Sequence, residues 1–126
     1  LRKNFCIVQL QVIRIRDLLS TAYNCCSFKR VYLTPRCAIL SRPFQKQTLY
    51  DRLSTRPFLI EIEKKWIAFQ LFKALAQCEA VEVCHGDLKT QNVLVSSSNW
   101  VQITDFASFK PATIPSVSFE FIYWAE

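Results

Sequence analysis

The chain has 126 residues, of which 51% are apolar and 21% are charged, and this balance is typical of one globular domain rather than of a disordered segment. Its single glycine, Gly86, excludes phosphate-binding loops built from several glycines. No run of apolar residues reaches the ~18 that a membrane-spanning helix requires. Because the chain begins at Leu1 and lacks methionine, we expect it to be a piece of a longer protein.

The net charge of +6 is unevenly distributed along the chain. Through Arg56 there are eleven basic and two acidic residues, whereas the remainder has five basic and eight acidic residues. The basic residues are scattered singly, without interleaved aromatic residues, so a solvated face is favoured over a nucleic-acid or anionic-membrane interface. We therefore expect no nucleic-acid partner.

The six cysteines lack a C-x-x-C spacing and are not preceded by a signal peptide, so we expect reduced, intracellular thiols. His85 is the only histidine, and the ligand spacing typical of a zinc site is absent.

The first part of the chain has the least regular pattern. Within residues 1–47, the apolar residues from Phe5 to Leu19 combine period-two and helical spacing, so a strand and a helix both fit, and a helix is the preferred prediction. Residues 41–57 are polar and contain Pro43 and Pro57, which predicts a connector with a short helix around residues 49–53.

A long helix is predicted from Leu59 to about Val81, because apolar residues recur there at steps of three and four. The helix is apolar on much of its circumference, so we expect it to form the core of the domain. One apolar stripe consists of Leu59, Ile62, Trp66 and Phe69, and the adjoining apolar stripes contain Ile67, Leu71, Ala74, Leu75 and Cys78. The predicted exposed strip consists of Glu61, Glu63, Lys64, Lys65 and Lys73. Core positions are also predicted for the aromatic residues Trp66, Trp100, Phe106 and Phe109.

Two short strands, residues 93–95 and 100–104, flank the polar turn 96–99 and predict a β-hairpin. The hairpin follows the sequence His-Gly-Asp-Leu-Lys-Thr-Gln-Asn, residues 85–92, and precedes Asp-Phe-Ala, residues 105–107. Polar side chains of types that can take part in catalysis therefore flank the hairpin on both sides.

This order of parts resembles the C-terminal lobe of protein kinases, in which a long helix, His-x-Asp-Leu-Lys-x-x-Asn, a hairpin and Asp-Phe follow one another. A more specific resemblance is to the kinase-like domain of the regulatory subunits of the class III phosphatidylinositol 3-kinase complex, a vacuolar protein sorting family. The matching strings are residues 49–59, 66–70, 85–90, 99–101 and 104–111. The resemblance covers residues 48–111 well and the preceding region more loosely.

The resemblance implies an α+β, protein-kinase-like fold, mostly the helical C-lobe with the catalytic-loop β-hairpin, and with an incomplete small lobe. Residues 1–47 would belong to the small lobe and its helix, although the lysine and glutamate of that lobe cannot be placed. Residues 48–58 would form the hinge-side connector and 59–82 the central C-lobe helix. Residues 83–111 would contain the catalytic loop, hairpin and magnesium loop, and 112–126 the start of the activation segment.

Phosphoryl transfer needs a carboxylate for the attacking hydroxyl, a cation on the phosphate and oxygen ligands for Mg²⁺. Asp87 would be the catalytic base, and Lys89 would serve both catalysis and nucleotide binding. Asn92 and Asp105 would hold the nucleotide and Mg²⁺, with ATP or GTP as the nucleotide. His85 is expected to be structural, packing under the loop and bonding to the backbone.

The resemblance further implies a pseudokinase platform that binds nucleotide and supports phosphatidylinositol 3-phosphate production in autophagy and endosomal sorting. Its partners would be the class III phosphatidylinositol 3-kinase catalytic subunit and autophagy proteins. The parent protein would be cytoplasmic, with peripheral attachment to late endosome and autophagosome membranes. Two alternatives stay open: an active ATP-dependent protein serine/threonine kinase, and a truncated piece without function. The chain alone is expected to be inactive.

Overall fold

The computed structural model describes residues 11–34 and 38–107. The predictions for Phe109 and for the activation segment at 112–126 lie outside these residues. Residues 11–18 form helix α1 within the described part, which agrees with the helix preferred for this region. A hairpin follows, however, in which β1 (Arg30–Leu33) pairs antiparallel with β2 (Ala38–Ser41). This hairpin was not among the elements predicted for residues 1–47.

The β1–β2 hairpin escaped prediction because its strands are short and carry exposed apolar side chains. Each strand has four residues, and Tyr32, Ile39 and Leu40 are all exposed. A period-two pattern needs one face buried and the other in water, so strands this short and this exposed cannot be distinguished by periodicity.

A second sheet lies in the core of the described residues. Its order is β3 (Gln47–Thr48), β4 (Val93–Val95) and β5 (Val101–Ile103), with both pairs antiparallel. Residues 24–26 pair in parallel with the outer edge of β5, where the Cys26 amide donates to the Ile103 carbonyl at 2.8 Å. The predicted β4–β5 hairpin is therefore present, and an early segment of the chain extends its sheet.

Helix α2 (Leu49–Ser54) lies in the predicted connector, close to the predicted bounds. Its N-terminus is fixed by a capping box, in which Thr48 Oγ1 accepts from the Asp51 amide and Asp51 Oδ2 accepts from the Thr48 amide. Leu49 anchors the helix to the core.

Helix α3 (Glu61–Glu79) confirms the predicted long helix. Glu63 caps its first turn, because Oε2 accepts from the Ile60 amide at 3.0 Å. The core that it covers is formed by α1, the segment after it, the central sheet and the chain after α3. The buried apolar members of this core are Leu19, Cys25, Leu49, Leu59, Ile67, Ala74, Cys78, Val83, Val93, Val95, Val101 and Ile103.

Of the apolar stripes predicted on α3, the structure buries one and exposes most of another. Leu59 is buried, but Ile62, Trp66 and Phe69 are 67%, 44% and 51% exposed. The buried positions lie on the neighbouring stripe and are Ile67, Gln70, Ala74 and Cys78. Since the helix is apolar on most sides, periodicity alone could not choose between the two stripes.

Two further findings concern apolar surface. Trp100 is 43% exposed, so Trp66 and Trp100 are not the core aromatics that the sequence predicted, whereas Phe106 packs against the core. Among residues 11–34 and 38–107, no helix is long and apolar enough to cross a bilayer.

Candidate functional site

The register of the β4–β5 hairpin brings the two sequence motifs together. Val93, the first residue of β4, pairs with Ile103, the last residue of β5. The residues just outside this pair, Asn92 and Thr104, are therefore neighbours, and the Thr104 amide donates to the Asn92 carbonyl at 2.9 Å. Asp105 follows directly, so the end of the 85–92 motif and the start of Asp-Phe-Ala meet at one end of the hairpin.

A tight turn presents the catalytic-loop residues at this end. Residues Thr90–Asn92 form a single 3₁₀ turn, closed by the Asn92 amide donating to the Lys89 carbonyl at 2.9 Å. Asn92 is buried because it immediately precedes β4, whose three residues are all buried. The turn therefore fixes the backbone from which Lys89 and Asn92 extend.

Asp87, Lys89 and Asn92 form one cluster of polar side chains. The Asn92 side-chain amide donates to the Asp87 carbonyl oxygen at 2.9 Å and to Asp87 Oδ2 at 3.0 Å. Lys89 Nζ lies 3.2 Å from the same Oδ2, and the Asp87 side chain is 22% exposed. The carboxylate is thus held in one orientation by a neutral donor and a cation while keeping a path to solvent.

His85 is a structural residue beneath this cluster, as predicted. The Asp87 amide donates to Nδ1 at 3.2 Å, which leaves Nε2 as the nitrogen that donates to the Thr104 carbonyl at 2.8 Å. The imidazole is buried and packs against the Phe106 ring at a centroid distance of 4.7 Å. His85 therefore connects the loop carrying Asp87 to the segment carrying Asp105.

Asp105 has a left-handed backbone, with φ at 60°, and its carboxylate pairs with Arg42, which directly follows β2. Arg42 Nη1 lies 2.5 Å from Asp105 Oδ1, and the same nitrogen donates to the Thr104 hydroxyl. Aspartate tolerates this backbone region better than most residues with a Cβ. Sequence reasoning assigned no special role to Arg42, because the basic residues of the first half were interpreted as a solvated face.

The donor set suits Mg²⁺, which prefers oxygen ligands and is commonly held by one or two carboxylates together with phosphate and water. Asn92 and Asp105 offer an amide oxygen and a carboxylate at the same end of the hairpin. The part of the chain that the structure describes contains no group of three or more His, Cys, Asp or Glu able to hold a metal by itself. A cation here would accordingly need oxygens from a nucleotide or from water.

Gln70 is a second residue that sequence reasoning missed. It is 1% exposed, and its Oε1 accepts from the Val101 amide at 3.0 Å while its Nε2 donates to the Asn99 carbonyl at 2.8 Å. Glu63 adds a bond from the Asn99 side-chain amide to Oε1 at 2.9 Å. Helix α3 therefore holds the turn of the hairpin whose other end carries the site.

Two buried thiols join the segment before β1 to α3. Cys25 and Cys78 lie with their sulfur atoms 3.6 Å apart, and the described cysteines, Cys25, Cys26, Cys78 and Cys84, are all free. The hydrogen bond with Cys78, together with burial, raises the pKa of Cys25 well above its ordinary value. Cys25 is thus held as a neutral thiol.

Residues 9–117 of the chain match the protein kinase domain family. The match covers most of the sequence and includes both motifs of the site, so this chain belongs to the protein kinase family.

Within the family, the chain is similar to proteins named VPS15, which agrees with the resemblance seen in the sequence. It is 49% identical over 92 residues to the serine/threonine-protein kinase vps15 of Schizosaccharomyces pombe, covering 73% of this chain and 5% of that protein. It is 55% identical over 82 residues to VPS15 of Arabidopsis thaliana, covering 65% and 6%. Identity to VPS15 of Saccharomyces cerevisiae is 44% over 108 residues, covering 84% and 7%. The chain spans less than a tenth of the length of these relatives.

Proposed function

We propose that this chain is the nucleotide-binding part of a regulatory, serine/threonine-kinase-like subunit of the class III phosphatidylinositol 3-kinase complex. The observation that carries the nucleotide-binding proposal is the hairpin register, which places Asn92 beside Thr104 and thus next to Asp105. Two oxygen-bearing side chains at one end of a hairpin are suited to the cation of a nucleotide, and Lys89 adds a positive charge for its phosphates.

The regulatory role is proposed from the similarity to proteins named VPS15. In such a subunit, the nucleotide would act as a structural ligand, and the whole protein would support phosphatidylinositol 3-phosphate production in autophagy and endosomal sorting. Its partners would be the complex's catalytic subunit and autophagy proteins. The parent protein would be cytoplasmic and would attach peripherally to late endosome and autophagosome membranes.

An active protein serine/threonine kinase is the second candidate, and the Asp87 cluster favours it. Bonds from Asn92 and Lys89 hold the Asp87 carboxylate in one orientation, as is needed to orient a substrate hydroxyl and accept its proton. Lys89 has three ammonium donors, so it can pair with Asp87 and also contact a transferring phosphate. Bound Mg²⁺ would neutralise charge on the phosphates.

The experiment is a titration of the full-length parent protein with ATP and with GTP, each with and without Mg²⁺, alongside a phosphotransfer assay on the same sample. Magnesium-dependent binding without transfer supports the regulatory proposal. Transfer that Asp87→Asn abolishes supports the kinase instead, and absence of binding by either nucleotide refutes the nucleotide-binding proposal.

One variant and its matched control test whether Asp105 binds the cation. Asp105→Ala should remove the magnesium dependence of binding, whereas Asp17→Ala, a matched loss of an exposed carboxylate that pairs with Arg16, should leave it unchanged. Equal magnesium dependence in wild type and Asp105→Ala would exclude Asp105 as a ligand.

A further inference from the structure

Arg42 contacts Thr104 and Asp105, the two consecutive residues that follow the β4–β5 hairpin. It directly follows β2, and its Nη1 contacts both Asp105 Oδ1, at 2.5 Å, and the Thr104 hydroxyl. The Arg42 and Asp105 side chains are 34% and 47% exposed, so solvent reaches the ion pair. A contact that bridges 63 positions of sequence is set by the fold and not by local geometry.

Thr104 gives Arg42 a fixed attachment point. Thr104 is 1% exposed, its amide is bonded to the Asn92 carbonyl, and its hydroxyl donates to the Cys26 carbonyl at 3.2 Å. Because a hydroxyl has one proton, a hydroxyl that donates to Cys26 can only accept from Arg42. The guanidinium is therefore directed toward the Asp105 carboxylate by a buried, fully oriented partner.

The positively charged guanidinium of Arg42 thus lies against the Asp105 carboxylate, the group that the proposed function assigns to Mg²⁺. The guanidinium carries a full positive charge. A divalent cation bound to Asp105 would share that carboxylate with Arg42. The guanidinium would repel the cation across a distance of a few ångströms. Arg42 and the cation thus compete for one group.

We propose that Arg42 is a positioning residue that occupies the Asp105 carboxylate in the metal-free protein and has to release it when a cation binds. The inference rests on the proposed function, since it concerns the same cation site. Cation loading would then be coupled to movement of the segment joining β2 to β3, because that segment carries Arg42.

The test measures Mn²⁺ binding to the full-length parent protein without nucleotide, from the electron paramagnetic resonance signal of free Mn²⁺. Arg42→Gln keeps a hydrogen-bond donor but removes the charge, and we expect it to lower the half-saturating Mn²⁺ concentration about tenfold. Arg42→Lys keeps a charge but cannot bond Thr104 and Asp105 together, so it should lower the concentration less. Arg30→Gln, the same loss of charge at an exposed position of β1, should leave it at the wild-type value.

An unchanged or increased half-saturating concentration in Arg42→Gln overturns the inference, as does absence of Mn²⁺ binding in both wild type and variant. Binding that appears only in Arg42→Gln supports it. Parallel titrations with fluorescent ATP and GTP analogues test the proposed function separately, because nucleotide that binds equally to both proteins leaves that function intact even where the Arg42 inference fails.

Discussion

Replacing Gln70 with leucine should destabilise the kinase domain by about 1 to 4 kcal/mol. The substitution nearly conserves volume but leaves two backbone groups, the Val101 amide and the Asn99 carbonyl, without their side-chain partners. A buried polar group left unpaired costs about 1–3 kcal/mol, and burying the leucine side chain returns about 1.5–3 kcal/mol. Val101 is 0% exposed, so water cannot replace Gln70 at its amide, and the cost there should lie at the upper end of its range.

The measurement is equilibrium urea unfolding of the complete kinase domain, followed by tryptophan fluorescence, because Trp100 lies beside the affected amide. Gln91→Leu is the matched control, since Gln91 is exposed, and we expect it to change the free energy of unfolding by less than about 0.5 kcal/mol. If Gln70→Leu destabilised the domain no more than Gln91→Leu does, the claim that α3 holds the hairpin through Gln70 would be refuted.

Three further predictions follow from named contacts. Asp87→Asn should preserve nucleotide affinity while abolishing any phosphotransfer, and transfer at the wild-type rate would remove Asp87 from its catalytic role. The bond from the Ile60 amide lowers the pKa of Glu63 below its ordinary 4.5, so its stabilisation is present above that pH and is lost as the pH falls through the lower, folded-state value. Glu63→Gln should therefore weaken the acid dependence of the melting temperature, and an unaltered profile would contradict this. Cys84 is exposed whereas Cys25 is buried, so iodoacetamide should label Cys84 in the native protein and Cys25 only after unfolding, as peptide mass spectrometry can show.

The sequence predicted the elements that carry the motifs but not the surfaces that those elements bury. The extent of α3 and the β4–β5 hairpin follow from apolar spacing and a polar turn, which are local signals. The buried face of α3 depends on Gln70, a polar residue that is buried because two distant backbone groups need it. No spacing of apolar residues can reveal such a requirement.

The candidate site divides in the same way. Asp87, Lys89, Asn92 and Asp105 could be found because they occur at fixed positions around the hairpin, and the structure brings the first three together directly. Arg42 could not be found, because its partner Asp105 lies beyond β5 and 63 positions along the chain. Scattered basic residues cannot be told apart by their sequence pattern. Only the fold shows that Arg42 pairs with Asp105, whereas the pattern predicts a solvated face.

The pairing of residues 24–26 with β5 protects the central sheet against association with other chains. An unpaired strand edge offers a row of amide and carbonyl groups to any extended chain, which is a common start of aggregation. Here the Ile103 amide donates to the Asn24 carbonyl and the Ile103 carbonyl accepts from the Cys26 amide, so neither group of Ile103 is left for an intruding strand. On the opposite side, β3 is only two residues long and leads directly into α2, which makes it a poor template. The strands that position the candidate site are thereby kept within a sheet that does not readily grow.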